Sequence, residues 1–242
     1  MVSRANSSHK KLKELHEATS KIILPKLDIK LRSQQSSLKD CALRDILIRI
    51  YLVVGSIIKL NHFKDFHVLA SVTRTVFELN IDMHLLDEEK INNGFEKFTE
   101  FGAAKKFSIA KARKNRAEQN GFPFDEKFPK RAEYLQKMES NGMLKKIQQL
   151  WKSKKCPDHW SALSVPDRVA KLGTDFIERY IMYYDIGNWY IHSGPFDWNF
   201  LKNGTSTNII AAFAYESSVE MFRECCNICV SHFNLQLNCT NK

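Results

Sequence analysis

Residues 46–58, ILIRIYLVVGSII, are apolar on almost every side of a helical projection, and this run constrains the fold more than any other feature. A helix that is apolar all round has to be enclosed by other elements, as it would be in the middle of a bundle. The run is thirteen residues long and contains Arg49, so it falls short of the ~20 apolar residues a membrane-spanning helix needs. The rest of the chain agrees with a helical core. Only 9 of 242 residues are glycine and 6 are proline, and regularly spaced short strands are missing, which argues against a sandwich or barrel. A chain of this length can bury a substantial core as one large domain or two small ones.

Helical spacing recurs along the sequence. Leu12, Leu15, Thr19, Ile22 and Ile23 mark a helix over residues 8–24, which Pro25 is expected to end. A second helix runs from Ser37 to about Leu60 and a third over Phe66–Leu86. Residues 95–118 read as a basic amphipathic helix with Phe95, Phe98, Phe101 and Phe107 near one face. Residues 129–150 are helical with a break at Asn141-Gly142, and Trp151–Pro166 reads as an ordered, irregular loop. Pro166 with Asp167 opens another helix, and Thr174-Asp175 opens one that runs over Phe176–Ile191. A last long helix covers residues 208–235. The expected class is all-α: a single bundle of about seven or eight helices over residues 37–235, preceded by a basic helical segment, 1–36, and carrying a basic helical insert around 95–155.

Charge is segregated. Residues 103–155 hold fifteen Lys/Arg against five Asp/Glu, and residues 1–50 hold eleven against five, while the remainder is mildly acidic. Two basic blocks suggest a polyanion-facing surface, and the alternative is a solubilising face with an insert. Lys105, Lys106, Lys111, Arg113, Lys114 and Arg116 are the nucleic-acid-binding candidates. The block Lys105–Lys155 also interleaves Phe107, Phe122, Phe124, Phe128 and Trp151, a mixture that a single-strand groove uses. The alternative is that these aromatics face the core. The expected partners are a nucleic acid, RNA more than DNA, or an acidic protein, with a second copy of the chain in a homodimer. No membrane partner is expected. The basic N-terminus has no apolar h-region, and six cysteines in such a chain point to free thiols in a reducing cytoplasm.

Two constellations carry chemistry. Tyr184–Trp198, YDIGNWYIHSGPFDW, puts Tyr184, Asn188 and His192 at i, i+4 and i+8, on one face of a regular helix. Histidine is the side chain best placed to exchange protons near neutral pH. Arg74 and Glu78, also four apart, sit in a stripe of Ala70, Ser71, Ile81 and Leu85, so the pair is expected to be partly buried and held by tertiary contacts. The alternative role for His192, Arg74, Glu78 and Tyr184 is a buried polar clasp that specifies packing. Cys225, Cys226, Cys229, His232 and Cys239 could be written as a ligand set, but they run along one helix near a terminus and read as core thiols, so neither metal nor cofactor is expected. No P-loop, G-x-G-x-x-G, H-E-x-x-H or G-x-S-x-G motif occurs.

VTRTVFEL with Arg74 and Glu78, then HWSALSVPDRVAKLG (159–173), then YYDIGNWYIHSGP together resemble a family of uncharacterised bacterial helical proteins, domain-of-unknown-function family 5677. The likeness spans roughly residues 40–200 and matches at Arg74, Glu78, Trp160, Ser161, Leu163, Tyr184 and His192, with Asn188 where the family often has serine. It implies an α-helical fold and a polar centre of Arg74, Glu78, Tyr184 and His192, without an activity. Gly187-Asn188-Trp189-Tyr190-Ile191-His192 more loosely resembles the R-N-x-x-x-H motif of HEPN bundles, many of them metal-independent RNases of toxin–antitoxin and phage-defence systems. Glycine replaces the motif's arginine, so Arg74 would have to supply the guanidinium. The expected function is an HEPN-like protein acting on or binding RNA, as a metal-independent endoribonuclease of bacterial stress or phage defence. The alternative is a non-enzymatic binding or regulatory module whose Arg/Glu/Tyr/His cluster is structural.

Overall fold

The computed structural model describes residues 2–33, 35–60, 65–185 and 205–236, and every regular element among them is a helix. The chain is an all-α protein, and it divides into two compact units: Met1–Lys90 with Val165–Lys242, and Ile91–Ser164.

In the first unit α1 (Val2–Ala18) passes through a π-helical segment, Thr19–Ile23, into α2 (Leu24–Ser33). Pro25 therefore does not end the helix as its sequence position suggests. A proline ring clashes with the carbonyl four residues back and lacks the N–H that would bond it. The wider π turn just upstream relieves both problems, and the Leu24 N–H bonds to the Thr19 carbonyl five residues back. α3 (Leu38–Ile57) begins at a capping box in which the Asp40 N–H donates to Ser37 Oγ and the Ser37 N–H to Asp40 Oδ2. Leu43, Ile46, Leu47, Ile50, Val54 and Ile57 are buried on it, but Leu52 is 61% exposed and Ile48 also reaches the surface. The apolar run is thus enclosed on three sides by α1, α4 and the last helix rather than all round.

α4 (Phe66–Asp87) packs on α3, on α9 (Val165–Leu172), on the π segment Tyr180–Asp185 that follows α10 (Thr174–Arg179), and on α11 (Thr205–His232). It carries Arg74, Glu78, Asn80, Asp82 and His84, the side chains around which two polar clusters of this unit form. α9 and α10 part at Gly173, whose φ of 101° with an extended ψ is open to glycine alone. Cys225, Cys226 and Cys229 are buried on α11 as free thiols, and burial pushes the first and last well up and Cys226 to about 11. His232 instead lies 2.7 Å from Asp40 Oδ1, tying the end of α11 to the start of α3.

The second unit holds α5 (Gly94–Gln119), the single turn α6 (Phe124–Lys127), α7 (Pro129–Ser140) and α8 (Met143–Trp151), with the last two separated at Gly142 in the left-handed region. Its core is Ala104, Phe107, Phe124, Leu135, Met143, Ile147 and Trp151. The segment after α8 is pinned by the Trp151 indole, which donates to the Trp160 carbonyl at 2.7 Å. Among the described residues, the short helices in this unit and the break at Gly173 raise the helix number above the seven or eight expected. None of the described helices is long and apolar enough to cross a membrane.

Candidate functional site

Positions 74, 78 and 82 of α4 lie one turn apart on one face. Glu78 is the hub. Its Oε1 accepts from Arg74 Nε at 3.3 Å and from the Tyr184 hydroxyl at 3.2 Å, and its Oε2 accepts from Arg168 Nη2 at 3.1 Å. Arg168 Nη1 donates to Asp82 Oδ1 at 2.8 Å, so one guanidinium bridges two carboxylates. That arginine is 2% exposed, whereas the side chains of Arg74 and Glu78 are each about 30% exposed. Arg74 stacks on the Tyr184 ring, with its guanidinium carbon 4.5 Å from the centroid. Burial first, and then the Glu78 charge, push the Tyr184 hydroxyl up to about 12, so the phenol stays protonated and donates.

The network is graded from inside to outside. At its inner end a buried cation is matched by two carboxylates, which is the condition under which charge is tolerated away from water. At its outer end Arg74 is held from two sides, by Glu78 and by the tyrosine face, while still reaching solvent. Such a guanidinium is positioned before any anion arrives, the property electrostatic stabilisation of a phosphate requires. Glu78 itself accepts from three donors, which suits it to positioning them.

A second polar row on α4, Asn80 and His84, turns toward α11. Glu224 Oε2 accepts from Asn80 at 3.2 Å and from Arg179 at 2.8 Å, and His84 Nε2 lies 3.5 Å away. Burial alone would raise the Glu224 carboxyl, but the hydrogen bonds from His84, Arg179 and Asn80 hold it down at about 2. This row closes on α10 and α11 and is a packing element.

Of the expected catalytic residues, the structure brings together Arg74, Glu78 and Tyr184; Asn188 and His192 lie outside the described residues. Arg168 and Asp82 were missed by the sequence reading, although each left a signal. Asp82 continues the 74–78 spacing by one more turn, and Arg168 interrupts the stripe Val165, Val169, Leu172 on the apolar face of α9. An arginine in an apolar stripe needs a buried anion.

On α5, Lys105 pairs with Asp158, Lys111 with Glu139 and Lys114 with Asp125, each at 2.7 Å. Lys106, Arg113 and Arg116 are exposed. Of the aromatics interleaved with this block, Phe107, Phe124 and Trp151 are core residues and cannot stack on bases, while Phe122 and Phe128 are exposed with centroids 6.2 Å apart.

Fold and site define an all-α protein whose central helix carries a graded arginine–carboxylate network. The chain belongs to DUF5677, a family of unknown function, whose model matches residues 40–207. No curated protein and no solved structure matches the chain. The matched span contains every residue of the 74–78–82 network and its partners Arg168 and Tyr184, and it excludes α1 and most of α11, which pack on one another.

Proposed function

We propose that the protein acts on RNA as a metal-independent, HEPN-like endoribonuclease. In this reading Arg74 binds and stabilises the charge on the reacting phosphate, Glu78 and Tyr184 hold Arg74 in place, and His192 moves the proton. Asn188, on the same sequence stretch, orients the substrate. The observation that carries the reading is the state of Arg74: stacked on Tyr184, anchored by Glu78, and still one-third open to solvent. Glycine stands at position 187, where an HEPN motif has its arginine, so a guanidinium supplied from α4 is what the reading needs. The exposed cations Lys106, Arg113 and Arg116 support it as sequence-independent phosphate contacts. Bacterial stress response or phage defence is the proposed setting.

The test is incubation of the purified chain with single-stranded RNA in EDTA. Cleavage is expected, and His192→Ala and Arg74→Ala are expected to abolish it without lowering the melting temperature. Intact RNA with the unaltered protein contradicts the enzyme reading.

A second reading rests on its own observation, the burial of Arg168 between Glu78 and Asp82. Here the cluster only fixes the bundle, and the basic helices bind RNA or an acidic protein without chemistry. It predicts salt-sensitive binding, uncut RNA, and equal stability losses for Arg74→Ala and Arg168→Ala.

A further inference from the structure

The second unit contains a cavity of about 370 Å³ between one face of α5 (Lys105, Ser108, Lys111, Ala112, Asn115), Leu144 at the start of α8, and the segment Lys154–Cys156. Ile109 and Leu144 are exposed into it at 42% and 37%, and with Ala112 they make an apolar floor. Its rim is cationic: Lys105, Lys111, Lys154 and Lys155 line it, and no carboxylate does. Lys105 and Lys111 already hold Asp158 and Glu139, whereas Lys154 and Lys155 have no acidic partner among the described residues. A neighbouring groove along α5 shares Lys111 and Asn115 but is also lined by Asp125, Glu133 and Glu139, which would repel an anion. The charge difference between the two selects the first as an anion site.

We propose that this cavity holds one unstacked nucleotide of a single-stranded RNA, a subsite that rests on the RNA-acting reading and deepens it. The base lies on Ile109, Ala112 and Leu144, where Ser108 and Asn115 offer hydrogen bonds to its edges, and the flanking phosphates meet Lys154 and Lys155. The volume falls at the lower end of the range of small-ligand sites and suits one nucleotide. Single-strand sites commonly splay a base out of the stack and line the backbone with cations; here an aliphatic floor takes the place of the usual aromatic platform. Cys156 lines the same cavity as a half-buried thiol and serves as a reporter.

The experiment is fluorescence anisotropy of full-length protein carrying His192→Ala, to keep the RNA intact, with short fluorescein-labelled oligouridylate and oligoadenylate. Alkylation of Cys156 by iodoacetamide, read by mass spectrometry, accompanies it. Leu144→Asn, which puts a polar amide on the apolar floor, is expected to weaken binding roughly tenfold without changing the salt dependence. The double variant Lys154→Glu/Lys155→Glu is expected to weaken binding comparably and to lower the salt slope by about 2. RNA is expected to slow Cys156 alkylation, and uridine monophosphate alone to slow it only at far higher concentration. RNA that binds the parent protein, but binds both variants equally well and leaves Cys156 alkylation unchanged, overturns the subsite and leaves the RNA reading standing. A parent protein that binds no RNA overturns both. All three altered side chains reach the surface, and circular dichroism confirms that each variant is folded before binding is scored.

Discussion

Both units pair arginine or lysine with carboxylates at their surfaces, but the first also encloses such pairs between its helices. In the first, Arg168 is enclosed and bridges Glu78 and Asp82, and Arg179 serves Glu224 beside Asn80 and His84. In the second, Lys105, Lys111 and Lys114 meet their partners in water, with Asp158 fully exposed. Buried pairs cannot lose one member without stranding the other, while exposed pairs exchange partners with salt and solvent at little cost. The enclosed clusters of the first unit therefore use charge to specify packing, while its surface pairs, such as Arg32 with Asp28, and those of the second unit leave their charge exposed. In the 74–78–82 network the outer pair, Arg74 with Glu78, is where enclosure gives way to exposure.

The sharpest way to break this contrast is Arg168→Ala. It removes the buried cation that bridges Glu78 and Asp82, leaving Glu78 to Arg74 and Tyr184, and a loss of about 3–5 kcal/mol is expected in urea unfolding. A loss under 1 kcal/mol would mean the bridge is ornamental. Next comes Glu224→Gln, expected to cost about 2 kcal/mol through its charged hydrogen bonds. The same carboxylate makes a pH prediction. Its folded value of about 2 lies below the ordinary 4.5, so its stabilisation is fully present above pH 4.5 and is lost as pH falls toward 2. Glu224→Gln should accordingly flatten the acid limb of the stability curve between those values; an unchanged limb would contradict it. Tyr184→Phe removes one hydrogen bond to Glu78 but keeps the ring under Arg74, and about 1 kcal/mol is expected. The smallest stability effect belongs to the second unit: Lys106→Glu, Arg113→Glu or Arg116→Glu should shift unfolding by no more than about 0.5 kcal/mol, yet each should lower RNA affinity and its salt slope.

Much of the fold could be read from the sequence because its signals are local. Ser37 and Asp40 announce the start of α3, and Asn141-Gly142 marks the break between α7 and α8. Pro25 misled because the rule it breaks, the regular α-helical turn, is relaxed by a π segment that leaves no residue signature. The site was half legible. Arg74 and Glu78 show as a charged pair in an apolar stripe, and Tyr184 through its spacing within an aromatic stretch. Arg168 lies 90 residues from Glu78, and nothing along the chain links the two until α9 is laid on α4. The interleaved aromatics of the basic block were ambiguous for the same kind of reason. A phenylalanine every few residues beside lysine suits a groove or a core, and only the packing of α5 on α8 sends Phe107 and Trp151 inward.

The claim that Arg74 belongs to a ligand while Arg168 belongs to the fold is tested most directly by one paired measurement. RNA cleavage in EDTA and melting temperature are recorded for Arg74→Ala and Arg168→Ala against the unaltered protein. The account predicts that Arg74→Ala loses cleavage and keeps its melting temperature, and that Arg168→Ala loses its melting temperature. Parallel loss of stability in both variants, with RNA left intact by the unaltered protein, would contradict it and make the whole network a clasp.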